Sequence, residues 1–394
     1  MGKWVKKKLG DYVVLQGGFA FQSKDFVEDG VPLIRIGDIT KEGLCDENAV
    51  KLPVNFLDEC KEFALNEYDT IIAMSGATTG KCTIVSKKNL PALLNQRVGR
   101  FKIKNNSIDK LYLYYIVSSY NYQQKLLLDA IGGAQPNVSP RQIEKVICTF
   151  PILPDGALDF SEQRRIASIL SSADKVIDST QKLIAKYKSI KQGMMEDLLK
   201  PKEGWKKVKL GEVGEILSGG TPSTQVDKYW NGNVLFVTPL DLGRKNEINT
   251  TLRTISEYGV NNSSANLITA NSLAVSTRAP IGLMSIVTRD FTTNQGCKSV
   301  KFYENQNNLF HFYNMTYNVE YIRRFGQGTT FMEISKTDFS NLEFIIPSLS
   351  EQCRIASILS SIDKKIESEE KTLEKYKNIK KGLMEKLLKE EEIL

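Results

Sequence analysis

Two stretches of this chain carry apolar or near-apolar residues alternately three and four apart. In the first they are Ile166, Leu170, Ala173, Ile177, Thr180, Ile184, Tyr187, Met194 and Leu198. In the second they are Ile355, Leu359, Ile362, Ile366, Leu373, Tyr376, Leu383 and Leu387. This spacing is the seam of a long heptad helix. Residues 162–200 and 351–389 are also copies of one another, with roughly two-thirds of the paired positions identical, so an internal repeat sets the architecture before any local signal does. Each seam holds a lysine at the same repeat position, Lys191 and Lys380, and Glu369 occupies another seam position; polar seam residues lower stability but fix register and partner number. The first helix leaves one globular part and delivers the chain to the next, and the second helix leaves that next part. Paired helices must therefore run antiparallel, as a rod on the order of 60 Å long.

Outside the helices the pattern changes to short β-rich runs separated by polar loops. Residues 1–155 and 201–349 share landmarks in the same order. Each opens on a Trp and a Lys-rich turn into Leu-Gly-acid (Trp4 to Asp11; Trp205 to Glu212), followed by a glycine pair, Gly17-Gly18 or Gly219-Gly220. Strand-like runs follow, Pro32 to Asp38 against Val234 to Asp241, and Asp69 to Ser75 against Ser272 to Thr277. Next come the loops SGATTGK and TRAPIG, then Asn95-Gln96 or Asn294-Gln295 between two strands. An aromatic helix (Leu111 to Ala130; Leu309 to Phe325) leads to a Gly-polar loop, and a last strand runs into Phe150-Pro151 or Ile346-Pro347. Short strands joined by long Ser/Thr/Asn/Gln/Gly loops predict an α/β (α+β) unit with a twisted mixed sheet. The expected organisation is a pseudo-two-fold repeat: globular domain 1–155, helix 156–200, globular domain 201–349 and helix 350–394, the domains held apart by an antiparallel coiled coil. Between proline and Glu-Gln the first copy has ten residues, 152–161, and the second three, 348–350, which predicts helix starts that are not strictly equivalent.

Composition narrows the function classes. A length of 394 residues fits about two to three domains. No apolar run reaches the ~18 residues of a membrane span, and the amino-terminal segment lacks the apolar stretch of a signal peptide, so a cytoplasmic protein is expected. Six cysteines without a CxxC pair indicate neither a zinc cluster nor a disulfide framework, and free, buried thiols are the simplest expectation. The net charge of +7 is compatible with nucleic acid without requiring it. The single histidine, His311, lies in the aromatic run LFHFYNMTY and reads as a packing residue. A lone histidine with no Cys or carboxylate motif beside it removes most hydrolase triads and HExxH metal sites from consideration. Two further motifs fail on inspection. Gly76 to Cys82 is one residue too short for a phosphate-binding loop and ends in Cys where Ser or Thr should hold magnesium. Phe325-Gly326-Gln327-Gly328 follows a helix where a methyl-donor turn follows a strand. No self-contained active site and no metal site is expected.

The order Leu-Gly-acid, Gly-Gly, strand, Ser-loop-Gly, Asn-Gln, Gly-polar loop, Pro, Glu-Gln-x-Arg-Ile-Ala and long helix, twice over, resembles the DNA-specificity subunit of type I restriction-modification systems. The resemblance covers nearly the whole chain, and the doubled EQxRIASILS…KYK…IKxGLMExLL segment is its specific part. It implies two target-recognition domains, each reading half of a bipartite double-stranded DNA target, with the paired helices setting the gap and docking two methyltransferase subunits. Restriction (nuclease-translocase) subunits are a further partner class. The chain itself is then non-catalytic and without cofactor; S-adenosylmethionine, ATP and Mg²⁺ belong to the partner subunits.

Guanine is commonly read by Arg or Lys and adenine by Asn or Gln. The polar loops therefore offer Gln22, Arg35, Lys81, Gln96, Arg97 and Gln135 in the first domain, and Thr221, Thr224, Arg244, Arg278, Gln295, Lys298 and Gln327 in the second, as DNA contacts. The recurring Asn-Gln pair argues for a structural turn, since a residue common to both domains cannot explain two different targets. The core of the coiled-coil seam is expected at Ile166, Leu170, Ile177, Ile184, Tyr187, Ile355, Leu359, Ile366, Leu373 and Tyr376. Two other readings stand beside this one: an enzyme such as a fused methyltransferase, and a coiled-coil protein-protein scaffold without a DNA role.

Overall fold

The computed structural model describes residues 3–40, 43–128, 136–326 and 333–388. The chain folds as two units, residues 1–181 with 371–394, and residues 182–370. The long helices, Phe160–Leu199 and Leu349–Leu387, each give one half to each unit. Their starts are the same repeat position. The ten residues after Pro151 are absorbed by a reversed turn in which Leu153 N donates to Ala157 O and Asp159 N to Pro151 O, so the length difference leaves the helix starts equivalent.

In unit 1 the strands are β1 (Lys3–Lys8), β2 (Val13–Gly17), β3 (Val31–Ile34), β4 (Lys51–Leu52), β5 (Thr70–Ala73), β6 (Cys82–Ile84), β7 (Leu93–Leu94), β8 (Val98–Ile103) and β9 (Ile147–Ile152). They form an antiparallel sheet of order β2-β8-β5-β6, a mixed sheet β4-β3-β7 whose β3/β7 pair is parallel, and the ribbon β1-β9. In unit 2 the strands are β10 (Lys206–Lys209), β11 (Gly214–Ser218), β12 (Trp230–Val237), β13 (Glu247–Ile248), β14 (Arg253–Ile255), β15 (Ser272–Ser276), β16 (Met284–Val287), β17 (Phe291–Thr293), β18 (Cys297–Phe302) and β19 (Glu343–Ile346). Here the orders are β11-β18-β15-β16-β13, β14-β12-β17 with β12/β17 parallel, and β10-β19. The central strands β5 and β15 are buried along their whole length, which is why Thr-Ile-Ile-Ala and Ser-Leu-Ala-Val-Ser show no polar alternation.

Each predicted aromatic helix is two helices. The first breaks at Ser119, which takes an extended backbone and accepts Tyr122 N on its hydroxyl; the second breaks at Asn318, whose amide donates to Asn314 O. Ser and Asn offer the chain these local alternatives to helix continuation. The start of each first segment is held by the repeat. Asp109 and Asn307 cap it with their side chains, and the backbone N–H of each cap donates at 2.9 Å to a glutamine of the long helix, Gln163 or Gln352, both fully buried. The Glu-Gln-x-Arg motif thus splits its work. Gln fastens the domain to the helix, while Glu162 with Arg165 and Glu351 with Arg354 form exposed ion pairs that hold both carboxyls below the usual range.

The seam lysines find partners in the same way twice. In unit 2, Lys191 Nζ lies 2.6 Å from Asp363, and Tyr313 OH donates to the same carboxylate at 2.6 Å. In unit 1, Lys380 Nζ lies 2.5 Å from Asp174, and Tyr115 OH donates at 2.8 Å. Each ammonium also sits over the tyrosine ring, at 5.5 Å and 5.6 Å. With Lys188 to Glu370 and Lys365 over Tyr187, partners descend along one helix as they ascend the other, so the pairing is antiparallel. Ile166, Leu170, Ile355 and Leu359 are fully buried in the cores of their own units. Ile184 and Ile366 are buried, and Ile177, Tyr187, Leu373 and Tyr376 are half-buried. Met195 and Leu199 complete the core of unit 2, as Leu388 does that of unit 1. The cysteines depart from uniform burial. Cys148 and Cys297 are buried, with thiols pushed up to about 12 by desolvation, whereas Cys45 and Cys353 are exposed.

Two tests follow from these contacts. Asp363 keeps 20% of its side chain exposed against 37% for Asp174, and it also accepts Asn246 Nδ2 at 2.6 Å. Asp363→Asn is expected to cost about 2–3 kcal/mol and Asp174→Asn about 1 kcal/mol, because the two lysines are equally exposed but Asp363 is the more desolvated carboxylate and carries the further bond from Asn246. Native-state hydrogen exchange read separately in each unit measures both, and equal losses would contradict the burial argument. His311 supplies the second test. It is buried, stacked on Phe302 at 4.3 Å and bonded through Nε2 to Gln306, and desolvation lowers its pKa from 6.5 to about 3. The folded value lies below the unfolded one, so the unfolded chain takes the proton first. The stabilisation is whole above about pH 6.5 and declines by about 1.4 kcal/mol per unit as pH falls toward 3. The ring resonances of this sole histidine should not titrate between pH 7 and 4.5, and an NMR midpoint near 6.5 would place the ring in solvent.

Candidate nucleic-acid interface

In both units one glycine of the pair and the Asn-Gln turn form a joint, Gly18 matching Gly219 and Phe19 matching Gly220, so the two glycine pairs are offset by one residue. Gly18 N donates to Val98 O, Phe19 N to Leu94 O and Gln96 N to Phe19 O, while Asn95 N closes onto Ile34 O beyond the end of β3. In unit 2, Gly220 N donates to Thr293 O and Asn294 N to Val237 O beyond the end of β12. The approach is too close for a side chain. A Cβ on Gly18 would lie 2.2 Å from Leu94 O, and one on Gly219 would lie 2.0 Å from Asn294 O. The Asn-Gln turn therefore stands at the carboxyl end of the parallel strand pair in each unit.

Around this shared frame the polar groups differ. Gln96 and Arg97 are exposed beside the loop that follows β5, in a groove of about 480 Å³ that Ser75, Gly76, Asn137 and Ser139 also line. Ser75 bridges Asn137 across the loop ends, and its hydroxyl is buried with no hydrogen-bond partner among the described residues. Thr78 Oγ1 donates to Ile36 O at 3.0 Å and brings this loop against half-buried Arg35 and Ile36; Lys81, also half-buried, closes it. In unit 2 the corresponding bridge joins Arg278 to Glu333. Arg278 Nε lies 2.8 Å from Glu333 Oε2, Lys298 Nζ lies 3.7 Å from Glu333 Oε1, and Lys298 also donates to Gln295 O. Arg278 is exposed and Lys298 is buried. Gly296 stands where unit 1 has Arg97, and Thr221 Oγ1 donates to Gln295 Oε1 at 2.6 Å.

The structure thus brings Gln96, Arg97, Arg35 and Lys81 to one loop cluster, and Thr221, Arg278, Gln295 and Lys298 to the equivalent one. Gln22, Thr224 and Arg244 lie exposed on other loops, and no side-chain hydrogen bond or ion pair among the described residues ties them to these clusters. Gln135 and Gln327 lie outside the described residues. Sequence reasoning missed Asn137 and Glu333, which reach the site only through cross-loop bridges. Elsewhere in unit 2 the guanidinium of Arg253 lies 3.7 Å over the Trp230 ring, an arrangement with no local sequence signal. Among the described residues no group of His, Cys, Asp or Glu could hold a metal ion, and no helix is long and apolar enough to cross a membrane.

The family model described as "Type I restriction modification DNA specificity domain" matches residues 1–188 and again 202–378. The MjaIX type I restriction enzyme specificity subunit of Methanocaldococcus jannaschii is 31% identical over 179 residues, which are 44% of this chain and 41% of that one. A second protein of that organism, named for the MjaX type I restriction enzyme as its specificity subunit, is 26% identical over 417 aligned positions covering 98% of this chain and 92% of its own. Among solved structures, the S subunit of a type I restriction-modification system from M. genitalium aligns with a TM-score of 0.65 at 14% identity, over 99% of this chain and 97% of that one, a likeness of fold.

The glycine joint can be tested against the helical glycines. Gly219→Ala must displace the Asn-Gln turn and is expected to destabilise unit 2 by about 1–3 kcal/mol. Gly193→Ala meets nothing within 4 Å and should stabilise its helix by about 0.5–1 kcal/mol. Thermal unfolding of the two variants gives both signs.

Proposed function

Because the chain belongs to the type I restriction-modification DNA-specificity family, we propose that it is the sequence-reading subunit of such a complex, each unit reading one half of a bipartite double-stranded target. The observation that carries this reading is a common frame with divergent contents. The joint between one glycine, Gly18 or Gly219, and the Asn-Gln turn recurs in both units, while the groups on it change from Ser75, Asn137 and Arg97 to Arg278, Glu333 and Gly296. Phosphate contacts position a protein on DNA and base-edge contacts specify, so two half-targets call for one scaffold and two sets of polar side chains.

The paired helices set the gap between the half-targets and dock two methyltransferase subunits, to which restriction subunits add. Equivalent exposures in the repeat support two docking sites. Ile190 and Ile379 are exposed at the same repeat position, as are Phe160 and Leu349, and the helical glycines Gly193 and Gly382 lie open beside the isoleucines. The chain itself is non-catalytic. S-adenosylmethionine, ATP and Mg²⁺ act in the partner subunits.

The test is exchange of residues 205–349 for the equivalent region of a relative, with the methylated positions read across the genome of cells that also carry the modification subunit. One half of the target should change and the other persist. A change in both halves would show that the units do not read independently, and methylation without any bipartite motif would overturn the assignment.

A further inference from the structure

We propose that Arg278 and Glu333, with Lys298 behind them, read a single G·C base pair in the half-target of unit 2; this rests on the reading of unit 2 as a DNA reader and assigns the base-pair class it takes. The three side chains come from three segments: the loop after β15, the strand β18, and the residue that bridges Arg278 across the loop ends. Arg278 and Glu333 occupy the slot that Ser75 and Asn137 occupy in unit 1, and Lys298 stands where unit 1 has Gly99.

A carboxylate within reach of solvent, such as that of half-buried Glu333, is a poor feature for a surface that meets phosphates, because like charges repel there. Glu333 is the exception that two cations permit. Arg278 engages Oε2 at 2.8 Å and Lys298 approaches Oε1 at 3.7 Å, so the cluster as a whole carries one positive charge. Lys298 is 5% exposed and therefore positions and neutralises the carboxylate from below without itself facing DNA. Glu333 grips Arg278 through Nε, which fixes the guanidinium plane and leaves the fork of its two terminal nitrogens as the reading edge.

Base-pair chemistry then selects among the four edges. In the major groove a G·C pair presents two adjacent acceptors, guanine N7 and O6, next to a donor, cytosine N4. A donor fork beside an acceptor carboxylate is the complement of that pattern. Adenine offers one acceptor next to a donor, which a fork of donors cannot match, and thymine adds a methyl group where the carboxylate would find no donor. A phosphate would satisfy Arg278 but be repelled by Glu333, so the carboxylate argues for a base over the backbone.

The test uses the full chain expressed with its modification subunit and reads methylation across a library of half-target variants. The parent chain should require G·C at one position of the unit 2 half-target. Arg278→Gln should lower that discrimination by roughly 10- to 100-fold, the value of one good bidentate contact, with the other positions unchanged. Glu333→Gln, which keeps the volume and removes the charge, should relax the same position even where the arginine variant is poorly produced. A half-target without an obligatory G·C pair, loss on all sequences alike, or effects of the two variants at different positions would each overturn the proposal while leaving bipartite reading intact. Absence of any bipartite motif with the parent chain would instead defeat the function on which it rests.

Discussion

The pairing of one seam lysine with one aspartate across the two helices constrains everything else in each unit. An apolar heptad seam is satisfied again after a slip of seven residues, about 10.5 Å along the axis, so burial of leucine and isoleucine alone leaves the register open. A half-buried ammonium has no such freedom. Lys191 must meet Asp363 and Lys380 must meet Asp174, because any other register leaves a partly desolvated charge unpaired at a cost of about 1–3 kcal/mol. The aspartate then serves a third element by accepting the phenol of Tyr313 or Tyr115, whose burial and acidic neighbour hold it well above the usual tyrosine range as a permanent donor. One carboxylate therefore fixes two helices and the aromatic helix of the domain at once.

From that junction the order of construction runs outward. Gln163 and Gln352 sit earlier on the same helices and fasten the caps of the aromatic segments. Those segments cover the central strands β5 and β15, and the strands end at the loops that carry the polar clusters. Every link up to the Asn-Gln turn recurs in the two units, and the first divergence is at the loop groups themselves. Rigidity in the frame and variation at the tips is the arrangement in which a changed side chain alters recognition without moving its support.

Much of this was legible in the sequence because it depends on period and repetition. The seam, the helix pairing, the mixed sheets and the Gly-Gly and Asn-Gln landmarks all leave patterns that one chain displays. Partners that meet only after folding leave none. Lys191 and Lys380 could be recognised as out of place in a seam, yet nothing local names Asp363 and Asp174, which lie on the opposite helix. Glu333 stands 55 residues from Arg278 and becomes its neighbour through a cross-loop bridge. Lys298 reads as a loop cation, but it lies on β18, whose first four residues are all buried. Ser119 and Asn318 break their helices through side-chain bonds that propensity does not foretell, and the LPDGALDF segment, which suggested offset helices, turns back on itself.

The division of each long helix between the units has a consequence for the order in which the protein is made. Unit 2 is continuous in the chain, residues 182–370, and can close its core as soon as the second helix is half synthesised. Unit 1 is discontinuous. Its core joins Leu9 and Val13 to Leu388, far later in the chain, with Leu383, Met384 and Leu387 packed beside it. Of the two units the one begun first is thus the one finished last, and it must wait with an apolar seam uncovered until the second long helix is made.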